Sequence, residues 1–121
     1  MNDPLFVVCC LVVHELAITE SVVEAVSERV AGARVGRVVM EVGKLCAVVP
    51  DALRFCFELC AEGTSLEGAM LEIIEIPGRA TCGHCQTEFD IDNLLELCAC
   101  GSADLSFQGG DQLRIREVQV I

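Results

Sequence analysis

Two close pairs of cysteines constrain this chain more than any other feature of its sequence. Cys82 and Cys85 are separated by two residues, and Cys98 and Cys100 by a single residue. Four thiolates brought together satisfy a tetrahedral Zn²⁺ ion, and a site with four protein ligands is closed and structural. About thirty residues cannot bury enough surface to fold alone, so metal binding would supply the missing free energy. The spacing therefore predicts a zinc-binding module over residues 77–109.

The second cysteine pair departs from the usual zinc-ribbon spacing of two intervening residues. A single spacer demands a tighter turn, and His84 is the substitute ligand if Cys98 or Cys100 fails to reach the metal. A disulfide or unligated thiols are the alternatives to zinc. A rubredoxin-like iron centre would also use four thiolates, but the shortened pair argues against it.

The remaining cysteines bear on the cellular compartment. The chain contains nine cysteines, and this odd, scattered set fits a reducing compartment better than a disulfide framework. We recognise no secretory signal and no segment long enough to span a bilayer, so we expect a cytoplasmic protein without a membrane partner. Cys56 and Cys60 lie four apart on a predicted helix, and we interpret them as core residues rather than as a metal site.

The charge balance excludes one large class of function. The formal net charge is -11, whereas proteins that bind nucleic acid through its phosphates need clustered cations. We therefore expect no nucleic-acid partner. We also find no nucleophile–base pair and no phosphate-binding glycine loop, so we do not expect an enzyme.

Outside the cysteine module, hydrophobic periodicity predicts two helices. The spacing of Ile18, Val22 and Val26 indicates a helix over residues 14–30. A second helix is predicted from Pro50, which suits a first helical position, to the residues before Gly63.

Three strands are predicted around these helices, over residues 37–42, 70–76 and 113–120. The apolar phase of the last strand slips between Ile115 and Val118, which a β-bulge would explain. Pro77–Gly78 predicts a turn where the cysteine module begins. We conclude that the fold is α+β, with two helices and a three-stranded sheet, and that a zinc-ribbon-like module is inserted before the last strand.

Several segments of the chain resemble the HypA/HybF family of hydrogenase nickel-incorporation proteins. They are VVHELAITESVVEAV at 12–26, VVMEVGKLCAVVPDALRFCFELCAEGT at 38–64, LEIIEIPGRATCGHC at 71–85, CGSADL at 100–105 and QLRIREVQV at 112–120. The resemblance covers residues 13–121 in collinear order. It implies a metallochaperone that supplies Ni²⁺, with a GTPase partner, for maturation of the [NiFe]-hydrogenase large subunit precursor.

The resemblance also implies where nickel binds. The nickel site of the family is an N-terminal Met-His-Glu, and His14 and Glu15 are the matching pair here. A histidine at the second position of a chain offers an amine, a peptide nitrogen and an imidazole, a square-planar set that suits Ni²⁺. Glu15 would add an oxygen ligand or orient the imidazole.

Residues 1–12 precede this motif and are interpreted as an N-terminal extension. One hypothesis is a misassigned start, with Val13 encoded by an alternative initiation codon. The rival hypothesis is that the extension is present and that Cys9 or Cys10 contributes a thiolate to nickel.

The expected organisation is therefore an extension (1–12), a nickel-binding α/β domain (13–76 plus 110–121) and a zinc-binding module (77–109). The sequence is compatible with a monomer or a homodimer. The alternative function is a zinc-ribbon adaptor whose acidic surface docks a basic protein without transferring metal.

Overall fold

A computed structural model describes residues 15–121 of the protein. The elements are α1 (Glu15–Val30), β1 (Val35–Gly43), one 3₁₀ turn (Lys44–Cys46), α2 (Pro50–Ala61), β2 (Met70–Ile76), β3 (Gly78–Cys82), β4 (Glu88–Ile91), β5 (Leu105–Gln108) and β6 (Leu113–Val120). This order confirms the predicted α+β class, with both helices and all three strands of the main sheet. No helix within residues 15–121 has the length and apolarity needed to cross a membrane.

The two helices bury the faces that their periodicity predicts. Ile18, Val22 and Val26 of α1 are fully buried, because residues spaced by four lie on one side of a helix. On α2, Leu53 and Phe57 are buried in the same core. Both helices pack on one face of the sheet, so the molecule has one helical layer over one β layer at this end.

The main sheet has the strand order β2-β1-β6. Strand β1 pairs in parallel with β2 and antiparallel with β6, and α2 lies in the connection from β1 to β2. Val38, Met40 and Val42 of β1 point into the core beside Leu113 and Ile115 of β6. Alternate residues of these strands therefore meet the helices, as period-two patterning requires.

The pairing of β1 with β6 contains the bulge that the sequence pattern indicated. Val39 pairs with Glu117 and the next residue, Met40, pairs with Ile115, so Arg116 is the extra residue on β6. One unpaired residue shifts the following side chains to the other face of the strand. This shift confirms the interpretation of the apolar slip between Ile115 and Val118.

The cysteine module contains a second three-stranded sheet, in the order β4-β3-β5, which the sequence pattern does not predict. Ala80, Cys82 and Ile91 are buried in it. The predicted turn at Pro77–Gly78 is wrong, because Gly78 is already the first residue of β3 and only Pro77 separates it from β2. The chain thus enters the module in a nearly continuous extended conformation.

Three glycines pack backbone against backbone where the two sheets meet: Gly43, Gly78 and Gly110. A Cβ atom on Gly110 would lie 2.6 Å from the Cα of Gly78, so no side chain fits there. The N–H of Leu45 donates to the carbonyl oxygen of Gly110 at 2.8 Å, and this bond holds the contact closed. Close approach of two backbones is a standard reason for glycine, and we call this contact the glycine junction.

Candidate metal sites

The four module cysteines converge on one point. The sulfur atoms of Cys82, Cys85, Cys98 and Cys100 all lie within 4.8 Å of one another. The Cys82–Cys100 pair is 3.7 Å apart and the Cys85–Cys98 pair 3.5 Å. Zinc–sulfur bonds of about 2.3 Å place tetrahedral sulfurs about 3.8 Å apart, so the cluster fits one zinc ion with four protein ligands.

The first cysteine pair sits on a tight turn that leads from β3 towards β4. The sulfur of Cys82, the last residue of β3, accepts hydrogen bonds from the backbone N–H of His84 (3.3 Å) and of Cys85 (3.4 Å). The N–H groups of Cys85 and His84 stabilise a thiolate and lower the pKa of Cys82. The turn therefore favours the form of the sulfur that binds metal.

The second pair reaches the cluster in spite of its single spacer. The N–H of Gly101 donates to the carbonyl oxygen of Cys98 at 2.7 Å, and Gly101 has a φ of 92° that glycine adopts readily. The N–H of Cys98 in turn donates to the carbonyl oxygen of Ser102 at 3.0 Å. This turn brings both Cys98 and Cys100 to the cluster, so no substitute ligand is needed.

The protonation of the cluster is shared unequally between its thiols. A hydrogen bond with the Thr87 hydroxyl, together with the Thr87 backbone and Cys98, lowers the pKa of Cys85 to about 6. For Cys98, a hydrogen bond from the backbone N–H of Cys100 lowers the pKa. Burial, together with hydrogen bonds to neighbouring cysteine sulfurs in which Cys98 keeps its proton, has the larger effect and raises the pKa to about 12. These shifts favour an ionised Cys85 beside a protonated Cys98 in the metal-free cluster at neutral pH, because the bond between the two sulfurs needs one proton.

The predicted nickel ligands fall at the boundary of the described residues. His14 lies outside them, and Glu15 is the first residue of α1. A carboxylate oxygen of Glu15 accepts a hydrogen bond from the backbone N–H of Val49 at 3.1 Å. Val49 is the N-cap residue of α2 and has no side-chain cap of its own. Glu15 therefore ties the beginning of α1 to the beginning of α2.

The other described cysteines do not join a second cluster of metal ligands within residues 15–121. Cys60 packs partly against the core, with its sulfur 3.4 Å from the hydroxyl of Thr19, which agrees with the core interpretation. Cys56 is half-buried and Cys46 is buried. The suggested donors Cys9 and Cys10 lie outside the described residues.

Fold and cluster together define a class: a small α+β protein with a four-cysteine, zinc-ribbon-like module inserted before its last strand. The family described as "Hydrogenase/urease nickel incorporation, metallochaperone, hypA" matches residues 13–120. The chain belongs to this HypA family, whose members are metallochaperones rather than enzymes.

Individual relatives agree with this membership. The hydrogenase maturation factor HypA of a Nostoc species is 49% identical over 107 residues, which cover 88% of this chain and 95% of the relative. That of Geobacter sulfurreducens is 44% identical over 108 residues, covering 88% and 98%. The solution structure of the Ni metallochaperone HypA from Helicobacter pylori has the same fold. It matches with a TM-score of 0.58 at 20% identity and covers 90% of this chain and 98% of that one.

Proposed function

We propose that this protein binds Ni²⁺ through His14, with Glu15 as a secondary ligand or positioning residue, and delivers it for maturation of [NiFe]-hydrogenase. The observation that carries the proposal is the family match, because it begins at residue 13 and so includes both residues of the His14–Glu15 pair. Residues 13–76 plus 110–121 would form the nickel-binding domain and residues 77–109 the zinc module. Residues 1–12 would form an extension ahead of them.

The zinc half of the proposal assigns Cys82, Cys85, Cys98 and Cys100 as structural ligands. The sulfur spacing fits a tetrahedral ion, and four protein ligands leave no open position for a reacting molecule. When bound, zinc would supply cross-linking free energy to a module whose own core contains few large side chains. The zinc would therefore stay in place while nickel is exchanged.

The nickel half depends on the beginning of α1. The hydrogen bond from the backbone N–H of Val49 holds the carboxylate of Glu15, and Glu15 directly follows His14 in the proposed chelate. Glu15 would then orient the first turn of α1 around the metal as well as offer oxygen to it. A square-planar set of nitrogen donors suits Ni²⁺, whereas a tetrahedron of thiolates suits Zn²⁺, so the two metals would separate by ligand type and geometry.

Partners and location follow from the same proposal. A family that serves hydrogenase maturation works with other maturation factors. We assign the finer partners as a maturation GTPase and the large subunit precursor of [NiFe]-hydrogenase. None of the seven described cysteines forms a disulfide, which fits a reducing cytoplasm.

Nickel titrations of two versions of the protein, monitored by calorimetry and by absorption spectroscopy, test the proposal. One version begins at Met1, and the other begins at position 13 with Met in place of Val13. Each is also prepared as His14→Ala and, as a matched control, as His84→Ala, which removes the only other histidine of the sequence.

Tight nickel binding that is lost in His14→Ala but kept in His84→Ala supports the proposal. Binding by the shorter version alone would identify a terminal chelate, and equal His14-dependent binding by both would indicate that the extension is compatible with the site. Zinc binding without any His14-dependent nickel binding would refute nickel delivery and leave the zinc-ribbon adaptor as the function.

A further inference from the structure

The zinc module presents an unusual row of leucines to solvent. Leu94, Leu95 and Leu97 are 53%, 90% and 57% exposed. They belong to the loop of residues 92–97, which connects β4 to the second cysteine pair and which we call the leucine loop. Isolated exposed leucines are common, but three within four positions form an apolar patch of the kind found at interaction sites.

The leucine loop is held in shape by its own polar residues. The carboxylate of Glu96 accepts the backbone N–H of Asp92 at 2.9 Å, and the side-chain oxygen of Asn93 accepts the N–H of Leu95 at 2.8 Å. The N–H of Glu96 bonds weakly to the Asn93 carbonyl oxygen at 3.4 Å. These bonds fix the turn while its leucines point outward, so the ordering cost of binding is largely met before a partner arrives.

A groove continues from the leucine loop to the metal cluster. It has a volume of about 630 Å³ and is lined by Phe89, Leu97 and Ala99, by the sulfur-bearing residues Cys85, Cys98 and Cys100, and by the polar residues Thr87 and Glu96. The loop and the groove therefore form one mainly apolar surface with both a projecting part and a recess.

The charge of the module indicates the chemistry of the partner. Residues 77–109 contain five carboxylates against one cation, Arg79, and Arg79 is itself paired with Glu88 and Asp90. Four thiolates around Zn²⁺ would add further negative charge. A second copy of this chain would bring an equally acidic module, and like charges facing each other oppose association. A partner surface with Lys and Arg at its edge would complement the negative charge of the module.

We propose that the leucine loop is a docking site for a maturation partner that carries an apolar cleft rimmed by Lys and Arg. The proposal rests on the proposed function, since that function supplies the partner. It adds the surface that the partner uses and the chemistry of its cleft.

The position of the loop suits delivery of nickel. Asp92, the first residue of the leucine loop, forms an ion pair with Lys44 at 3.3 Å. Lys44 is followed five residues later by Val49, whose N–H binds Glu15, and a chain segment of this length spans at most about 18 Å. A partner seated on the loop would therefore lie on the part of the molecule that leads to the proposed nickel ligands.

The test measures affinity for two purified proteins, the maturation GTPase and the large subunit precursor of [NiFe]-hydrogenase from the same organism. The zinc-loaded full chain is compared with a Leu94→Ser/Leu95→Ser variant. Leu59→Ser is the matched control, because Leu59 is 49% exposed but lies on α2. We expect the double variant to bind one of the two partners about 10- to 100-fold more weakly, from the apolar area it withdraws.

Support requires that loss in the double variant, unchanged affinity in Leu59→Ser, and weaker wild-type binding as salt rises, because charge complementarity is screened. Unchanged affinity of the double variant for both proteins would overturn the proposal, and so would a loop-dependent homodimer in sedimentation experiments. Zinc and nickel stoichiometries are measured on every variant. Failure of nickel binding is thereby distinguished from failure of docking.

Discussion

The glycine junction gives a sharp test of how the two sheets are held together. Gly110 has a φ of 77°, and a Cβ there would lie 2.6 Å from the Cα of Gly78. Gly109 has a similar φ of 71°, but its Cβ would meet only the side chain of Gln112, at 3.9 Å. The two neighbouring glycines thus share the same backbone requirement and differ in the space available.

An alanine at either position carries the cost of a left-handed backbone, about 1–2 kcal/mol. Gly110→Ala adds the cost of overpacking against another backbone, about 1–3 kcal/mol. We therefore expect Gly110→Ala to lower the free energy of unfolding by about 2–5 kcal/mol and Gly109→Ala by about 1–2 kcal/mol. Against a total stability of about 5–15 kcal/mol, the first loss is severe and the second is tolerable.

The assay is urea unfolding at saturating zinc. It is monitored by far-ultraviolet circular dichroism, because the chain has no Trp or Tyr to serve as a fluorescence probe. With a urea slope of about 1–3 kcal/mol/M, the midpoint of Gly110→Ala should fall below that of Gly109→Ala by about 1 M. Equal midpoints for the two variants would refute the reasoning, because they would mean that the close backbone contact contributes nothing beyond the positive φ.

Two further predictions concern the cysteine cluster. Cys100→Ser should weaken zinc binding strongly and lower thermal stability, whereas His84→Ala should keep zinc at one per chain, since the sulfur cluster is complete without the imidazole. Metal analysis after dialysis checks both variants, and loss of zinc from His84→Ala would contradict the assignment. Zinc binding to the metal-free protein at neutral pH should release protons but fewer than four, because Cys98, with its pKa raised to about 12, is protonated and Cys85, with its pKa lowered to about 6, is mostly ionised. Bound zinc lowers the pKa of its thiols, so the stability it contributes is present at neutral pH and is lost as the pH falls. Calorimetry in buffers of different ionisation enthalpy counts the protons, and a heat that does not vary with the buffer would disprove this.

The main domain could be predicted from the sequence because its signals are local. Strands β2 and β6 have the predicted bounds, since both carry β-branched residues between clear breaks, and even the bulge at Arg116 leaves a trace in the apolar pattern. The sheet of the module leaves no such trace. Its strand β3 buries Gly78, Ala80 and Cys82, which are too small to form a recognisable hydrophobic alternation.

Contacts between residues far apart in the sequence also could not be predicted from local patterns. Arg114 donates to the carboxylate of Glu41 at 2.8 Å, which allows Glu41 to be almost fully buried on the face of the sheet opposite the helices. Glu15 binds the N–H of Val49 in the same way, across two elements. The spacing of the four cysteines nominated them and the family resemblance nominated Glu15, but only the fold shows which groups hold them.

The topology explains why a closed metal site is useful in this insertion. Strands β2 and β6 lie on opposite sides of β1, so residues 77–112 must carry the chain from one edge of the main sheet to the other. A flexible loop of that length costs roughly 3 kcal/mol to close. A zinc-bound module would meet that cost through metal binding, and the glycine junction fixes both of its chain ends against Leu45. Because a closed site with four protein ligands is structural, the pairing of β6 with β1 would then persist whether or not nickel is bound at the beginning of α1.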